Sequence, residues 1–303
     1  MPRPPPPRRP RRKRRSSDRF AESASQRRHP VKFEHQVVWI TGASSGIGEA
    51  SALAFARAGA RLVLSSRRPA ELERVRRACA HPDDHLVVPL DLTQSATFPS
   101  IVADVLACCG HIDVLVNNGG VSQRALAMDT SEAVERELME IDYFGPVALT
   151  KAVLPAMRVR GSGRIVVVSS VLGFLGVPGR SSYAAAKHAL HGYFNSLRAE
   201  VWRHGIGVTL VCPGYVKTAV SDNALGPDGK KHGRMDGTHA TGIAPEKCAA
   251  ALLRAVANRR NEIYVGGKEV TGIYFQRLAP SLVARVVRRL KVTANASPSG
   301  SRG

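Results

Sequence analysis

Tyr183 and Lys187 stand four residues apart in YAAAK, within a stretch that reads as helix, so both side chains lie on one face. A phenol with a pKa of about 10 is a poor base at neutral pH, and a nearby ammonium favours its phenolate form. Such a pair can donate a proton to a carbonyl oxygen as hydride reaches the carbon, or accept one in the reverse direction. Ser170 lies thirteen residues before Tyr183, at the end of the apolar run RIVVVS. Parallel sheets bind ligands at strand ends of this kind, and a hydroxyl there can hold and polarise a substrate oxygen. Strand alternation turns the neighbouring Ser169 to the opposite face. A Tyr-x-x-x-Lys spacing by itself is common in helices. Its meaning depends on what surrounds it.

The second chemical motif is Thr41-Gly42-Ala43-Ser44-Ser45-Gly46-Ile47-Gly48, directly after an apolar strand and opening a helix. Glycines there let the backbone turn tightly and approach a pyrophosphate, whose charge the helix N-terminus stabilises. The spacing is GxxxGxG, and the strand–turn–helix context gives it weight that a glycine triplet alone lacks. The end of the next strand decides between dinucleotides. An acid there holds the free ribose hydroxyls of NAD, whereas arginine neutralises the 2′-phosphate of NADP. The sequence reads Ser65-Ser66-Arg67-Arg68, without an acid at the turn. Arg67 offers a planar fork to a phosphate and Ser66 and Arg68 can assist, which predicts NADP(H). The alternative is two arginines that merely solvate a loop.

These residues need elements to place them. Short apolar runs at 37–41, 61–65, 85–90, 114–117, 164–169 and 207–212 alternate with helical patterns at 47–60, 70–79, 97–109, 131–158 and 183–204. Continuous apolar strands separated by helices of this length predict an α/β fold, a doubly wound parallel sheet covered on both faces. One such domain spans residues 35–268. Within it, residues 216–241 include a glycine-rich polar stretch without periodicity, expected to be a mobile lid.

TGASSGIG, Asn117-Asn118-Gly119-Gly120, Ser170, YAAAK and Pro213-Gly214 occur together in an order and spacing that resemble the short-chain dehydrogenase/reductase family. NNGGVSQRALAMDTS and DYFGPVALTKAVLPAM more narrowly resemble the branch that includes acyl-dihydroxyacetone-phosphate reductases. The resemblance implies a single Rossmann-type domain and an oxidoreductase acting on a carbonyl or secondary alcohol. It further implies that Asp91 and Leu92 contact the adenine, and that Asn118 and Gly119 lie along the adenosine ribose. Lys187 would hold the nicotinamide ribose, the Val216 backbone after Pro213 and Gly214 the nicotinamide amide, and Thr218 the pyrophosphate side. The family usually carries Asn at the position of Asp142, where it supports a water-mediated proton relay. Aspartate is nearly isosteric but donates no hydrogen bond when ionised, and it adds charge near Lys187. Either the relay persists with its pH profile displaced upward, or turnover falls. A cofactor-binding scaffold without turnover is the competing class, and Asp142 is the feature that favours it. Homo-oligomers that pair the helices around 131–158 and 181–204 are also implied.

Composition narrows the setting. The 303 residues are 44% hydrophobic, enough for a sizeable core and against overall disorder. Five cysteines without paired metal-ligand spacing predict neither a disulfide framework nor a metal site, and a reducing, cytoplasmic location. No apolar run reaches the roughly 18 residues that a spanning helix needs. Of the net charge of +20, residues 1–30 hold eleven Lys/Arg against two Asp/Glu. The Pro/Arg-rich segment 1–34 is expected to be a disordered arm. It is either a solvated extension or an attraction for polyanions. The absence of aromatics before Phe20 argues against specific nucleic-acid binding. Residues 269–292 place apolar Leu282, Val283, Val286, Val287 and Leu290 opposite Arg285, Arg288, Arg289 and Lys291. This amphipathic helix either docks on the domain over the substrate cleft or contacts an anionic membrane surface weakly, and it favours a hydrophobic substrate. A flexible tail is expected over 293–303.

Overall fold

The computed structural model describes residues 1, 32–220, 222–233 and 241–290. The expectations for the arm, apart from its last residues, and for the tail at 293–303 lie outside the described residues. So do parts of the lid.

Seven strands form one parallel sheet: β1 (Val37–Thr41), β2 (Arg61–Ser65), β3 (Leu86–Val87), β4 (Val114–Asn117), β5 (Gly163–Val168), β6 (Ile206–Pro213) and β7 (Glu262–Val265). Their spatial order is β3-β2-β1-β4-β5-β6-β7, every neighbouring pair parallel. The chain starts in the middle and winds outward both ways, so the strand order reverses beside β1. A crevice opens there at the carboxyl ends of β1 and β4. The helices between are α1 (Gly46–Arg57), α2 (Pro69–Ala78), α3 (Phe98–Cys109), α4 (Glu132–Met139), α5 (Gly145–Arg160), α6 (Ser181–Val201) and α7 (Pro245–Ala257). Two short helices follow β7, α8 (Thr271–Leu278) and α9 (Pro280–Val287).

Both sheet faces are dry. Trp39, Leu115 and Ile165 pack with Phe98, Leu149 and Phe194 on one side, while Ile40, Leu64 and Val116 pack with Phe55 and Leu252 on the other. This two-sided burial is why the strands read as unbroken apolar runs.

Local chemistry explains the departures from the sequence reading. Within the run 85–90 only Leu86 and Val87 form a regular strand, but the Val88 and Leu90 N–H groups still donate to Leu64 and Ser66, so Pro89 sits at a position whose N–H would face outward from this sheet edge. Residues 131–158 are not one helix. A wider π-type turn over Glu140–Phe144 joins α4 to α5. Phe33, assigned from sequence to the arm, is buried edge-on against Phe55, and its N–H donates to the Ala58 carbonyl. Within the lid, Ala224 and Leu225 are buried, the Leu225 N–H donating to Ser122 and the Arg124 N–H to Leu225. Those two residues anchor the segment to the loop after β4. Glycine-rich composition concealed the anchor.

Candidate active site

The glycine turn after β1 is built for close approach. Gly42 sits at φ +64° and Gly46 at φ +59°, a region that favours glycine. A Cβ on Gly48 would collide with the Gly42 carbonyl and with the Asn118 amide. Thr41 Oγ1 accepts from the Asn118 and Gly119 N–H groups, each at 3.0 Å, and the Asn118 side chain donates to the carbonyls of Thr41 and Gly42. The ends of β1 and β4 are thereby stitched together. The N-terminus of α1, with its free N–H groups, faces the crevice from Gly46 and Ile47. Gly119 faces Leu92, whose Cδ1 would lie 2.8 Å from an added Cβ.

At the end of β2, Arg68 donates to Ser44 Oγ at 2.8 Å and Ser45 Oγ at 3.2 Å. It ties the basic turn to the glycine turn. Arg67 is exposed beside it, and Ser66 Oγ accepts the Arg68 N–H. The Asp91 carboxylate accepts from the Thr93 N–H and hydroxyl, fixing the turn that carries Leu92. Gly214 donates its N–H to Val265, and Val216 is buried in a parallel bridge with Ile243. Thr218 lies against Gly46.

Ser170 lies two residues past the end of β5 and caps the short turn that follows, its Oγ accepting the Leu172 N–H at 3.1 Å. Ser169 turns away as alternation requires, with its Oγ 2.9 Å from His191 Nε2. Tyr183 and Lys187 share a face of α6, and the ammonium sits 5.4 Å from the phenol ring centroid. The fourth member is Asp142. It is fully buried in the widened turn, Oδ1 accepting the Val121 N–H at 2.7 Å and Oδ2 lying 3.0 Å from Lys187 Nζ. A π-type turn rotates one residue out of helical register, which lets a helix interior aim a carboxylate at both partners.

Charge in this pair is governed by burial and by proximity. Burial alone would push Lys187 down, but the Asp142 carboxylate, with Tyr183 assisting, reverses the sign and holds the ammonium above the ordinary lysine range. Burial pushes the Asp142 carboxyl up, against the opposing pull of Lys187 and the Val121 N–H. Both groups therefore lie above their ordinary values, each shifted by burial and by the other.

Sequence reasoning missed the two side chains that hold the start of α6. Gln123 Oε1 accepts the N–H groups of Ser182 at 2.9 Å and Tyr183 at 3.4 Å, capping the first turn of α6 across 60 residues of chain. Glu135 accepts the Ser182 hydroxyl. Neither partnership has a local spacing that could have signalled it. His191, which the sequence offers as a packing or surface residue, is buried behind Ser169 against Phe174, where burial lowers its pKa to about 4.

That depressed value has a consequence. A histidine held neutral in the fold contributes stability above its unfolded pKa of about 6.5, and the contribution fades as pH falls toward the folded value. Between pH 7 and pH 5 the native protein should lose about 2 kcal/mol more stability than His191→Gln. Urea unfolding of both proteins at the two pH values measures the difference. Equal pH dependence would show that His191 does not titrate with unfolding.

One cavity of about 1270 Å³ joins these parts. The glycine turn, Ser66, Arg67, Arg68, Asp91, Leu92, Asn118 and Gly119 line one end. Asp142, Ser170, Tyr183, Lys187, Gly214, Val216 and Thr218 line it further along. Beyond Tyr183 the walls become apolar, with Leu175, Val177 and Phe275, then Val283 and Val287 of α9. The apolar face of the terminal helix thus lies over the cleft.

Residues 36–226 match the family model described as short chain dehydrogenase. Dehydrogenase/reductase SDR family member 7B of Danio rerio is 44% identical over 269 residues, covering 86% of this chain and 87% of that protein. A crystal structure of a short-chain dehydrogenase from Streptomyces avermitilis is similar with a TM-score of 0.71 and 34% identity, over 84% of this chain and 98% of that one. A metagenomic short-chain oxidoreductase, solved in complex with NADP, is similar with a TM-score of 0.64 and 29% identity, over 77% of this chain and 97% of that one. Sheet order, glycine turn and sequence likeness agree: the chain belongs to the short-chain dehydrogenase family of oxidoreductases.

Proposed function

We propose that this protein is an NADP(H)-dependent oxidoreductase that interconverts a carbonyl and a secondary alcohol on a hydrophobic substrate. The observation that carries the reading is the shared cavity, with a glycine cradle and two arginines at one end and Ser170, Tyr183 and Lys187 beyond them. The residues present fit a dinucleotide. The backbone at Gly42 and Gly48 occupies space that no side chain could share, leaving α1 N–H groups open to a pyrophosphate. The glycine turn, Asp91, Leu92, Asn118 and Gly119 would hold the adenosine half, and Pro213, Gly214, Val216 and Thr218 the nicotinamide half. When bound, a reduced nicotinamide supplies the hydride.

The chain's own groups handle the proton. Ser170 Oγ holds the carbonyl oxygen and polarises it. Tyr183 gives its phenolic proton to that oxygen in reduction and takes it back in oxidation. The Lys187 ammonium supports the phenolate left behind. Asp142 fixes the lysine by direct contact at 3.0 Å, in the place where the family's usual Asn supports a water-mediated relay. Its negative charge cancels part of the ammonium's support, which displaces the oxidation pH profile upward. Apolar walls beyond Tyr183 exclude water and select a hydrophobic substrate, as expected for the reductase branch with acylated substrates. A homo-oligomer that pairs α4–α5 and α6 with a second copy would cover exposed Trp202 and half-exposed Phe144.

Arg67 is the principal 2′-phosphate contact in this reading, because Arg68 is already engaged with Ser44 and Ser45. The complex of the metagenomic relative with NADP supports the choice of cofactor. Arg67→Asp removes a charge-assisted bond and adds repulsion, so NADPH should bind about 10- to 100-fold more weakly while NADH binds no worse. Titration of protein-enhanced cofactor fluorescence with both dinucleotides measures this. An unchanged NADPH affinity would transfer recognition to Arg68 or the lid.

A further inference from the structure

The terminal helices present a surface that the carbonyl chemistry does not use. On α8, Tyr274 and Leu278 fall one turn apart, on α9 Leu282 and Val286 do the same, and all four are exposed, as is Leu290 just past the end of α9. Leu278 is 85% exposed and Val286 57%. Phe275, Leu282 and Val286 also form the cavity's rim, so apolar surface runs without a break from the cleft to the outside. Residues 270–290 carry four arginines and no acid. Arg277 stacks over Phe174 at 5.4 Å, while Arg285, Arg288 and Arg289 are exposed.

We propose that the α8–α9 face is a docking surface for an anionic lipid bilayer, seated so that the cavity rim opens at the boundary between headgroups and acyl chains. Charge decides the occupant. A second copy meeting this face about a twofold axis would bring two uncompensated arginine clusters together, whereas lipid phosphates neutralise them. The arginines' alkyl stems can lie along the apolar strip while their guanidinium groups reach the headgroups. Each helix has eight residues, and no helix among the described residues is long and apolar enough to cross a membrane. Contact of this kind is therefore peripheral, with hydrophobic insertion and charge acting together. The docked orientation lets a lipid-like carbonyl compound pass from the bilayer into the cleft without crossing water. The entry route rests on the cavity being the substrate site, but docking does not, and vesicle binding is measured without cofactor or substrate.

The test uses the full chain, floated with phosphatidylserine–phosphatidylcholine vesicles and with pure phosphatidylcholine vesicles. Wild type should float with the anionic vesicles at low salt and be released at about 0.5 M salt, where screening is nearly complete. Arg285→Glu/Arg288→Glu/Arg289→Glu should weaken binding at least about tenfold, since each basic side chain near such a surface contributes several-fold. Its thermal midpoint and its reduction of a water-soluble ketone should stay at wild-type values. In Leu278→Trp, bromine-labelled acyl chains should quench fluorescence beyond the wild-type level. Failure of the wild type to float would overturn the proposal. So would equal binding by the triple variant, which would assign the attraction to the basic N-terminal segment. Absence of added quenching, or lipid-free self-association lost in the triple variant, would contradict it as well.

Discussion

Tyr183→Phe should lower kcat for carbonyl reduction by about 10²- to 10⁴-fold, the range for removing a positioned proton donor. The substitution deletes one oxygen and leaves the ring in place over Lys187, 5.4 Å from the ammonium. NADPH affinity should change little, since the glycine turn and the arginines lie at the other end of the cavity. Steady-state NADPH oxidation with a hydrophobic ketone, paired with equilibrium cofactor titration, separates the two. Equal rates in wild type and variant would remove Tyr183 from the chemistry, whatever the fold.

The second large effect concerns the buried pair. Lys187→Met leaves the Asp142 carboxylate fully buried with only the Val121 N–H as partner, and loss of one member of such a pair costs about 3–5 kcal/mol. Asp142→Asn/Lys187→Met removes both charges and should recover most of that loss. Urea unfolding of the double-mutant cycle reads the coupling. Additive effects would mean that the two groups do not interact in the fold. The sign with pH follows from the lysine. Its folded pKa is raised, so its stabilising contribution is complete below the ordinary lysine range and fades as pH rises through the folded value. Alkaline destabilisation should therefore be shallower in Lys187→Met. Asp142→Asn alone removes the charge that offsets the ammonium, so its oxidation rate should plateau at lower pH than wild type. Superimposable profiles would show that the carboxylate does not act on the proton donor.

Legibility in the sequence followed locality. The glycine turn, the ends of β1, β2 and β5 and the α6 face are set by spacings within about one helical turn, and these were read with their elements. Asp142 was recognisable as a substitution, but its contact with Lys187 joins positions 45 residues apart through a widened helical turn. Periodicity cannot reveal such a turn, and residues 131–158 read as one amphipathic stretch. The capping of α6 by Gln123 was invisible for the same reason, since an amide 60 residues upstream resembles any loop glutamine. Partially buried β7, the sequence EIYV, carries neither a continuous apolar run nor clean alternation. The terminal helix showed its two faces plainly. Only the fold could say that its apolar face reaches the cleft.

The most direct measurement of the central claim follows deuterium from C4 of labelled NADPH during reduction of a panel of hydrophobic ketones. Oxidoreduction at Ser170, Tyr183 and Lys187 predicts one deuterium on the carbinol carbon of the product alcohol in wild type, and product formation reduced to near background in Tyr183→Phe. Cofactor that binds wild type tightly yet delivers label to no member of the panel would contradict it, and would leave the cavity as a binding site without turnover.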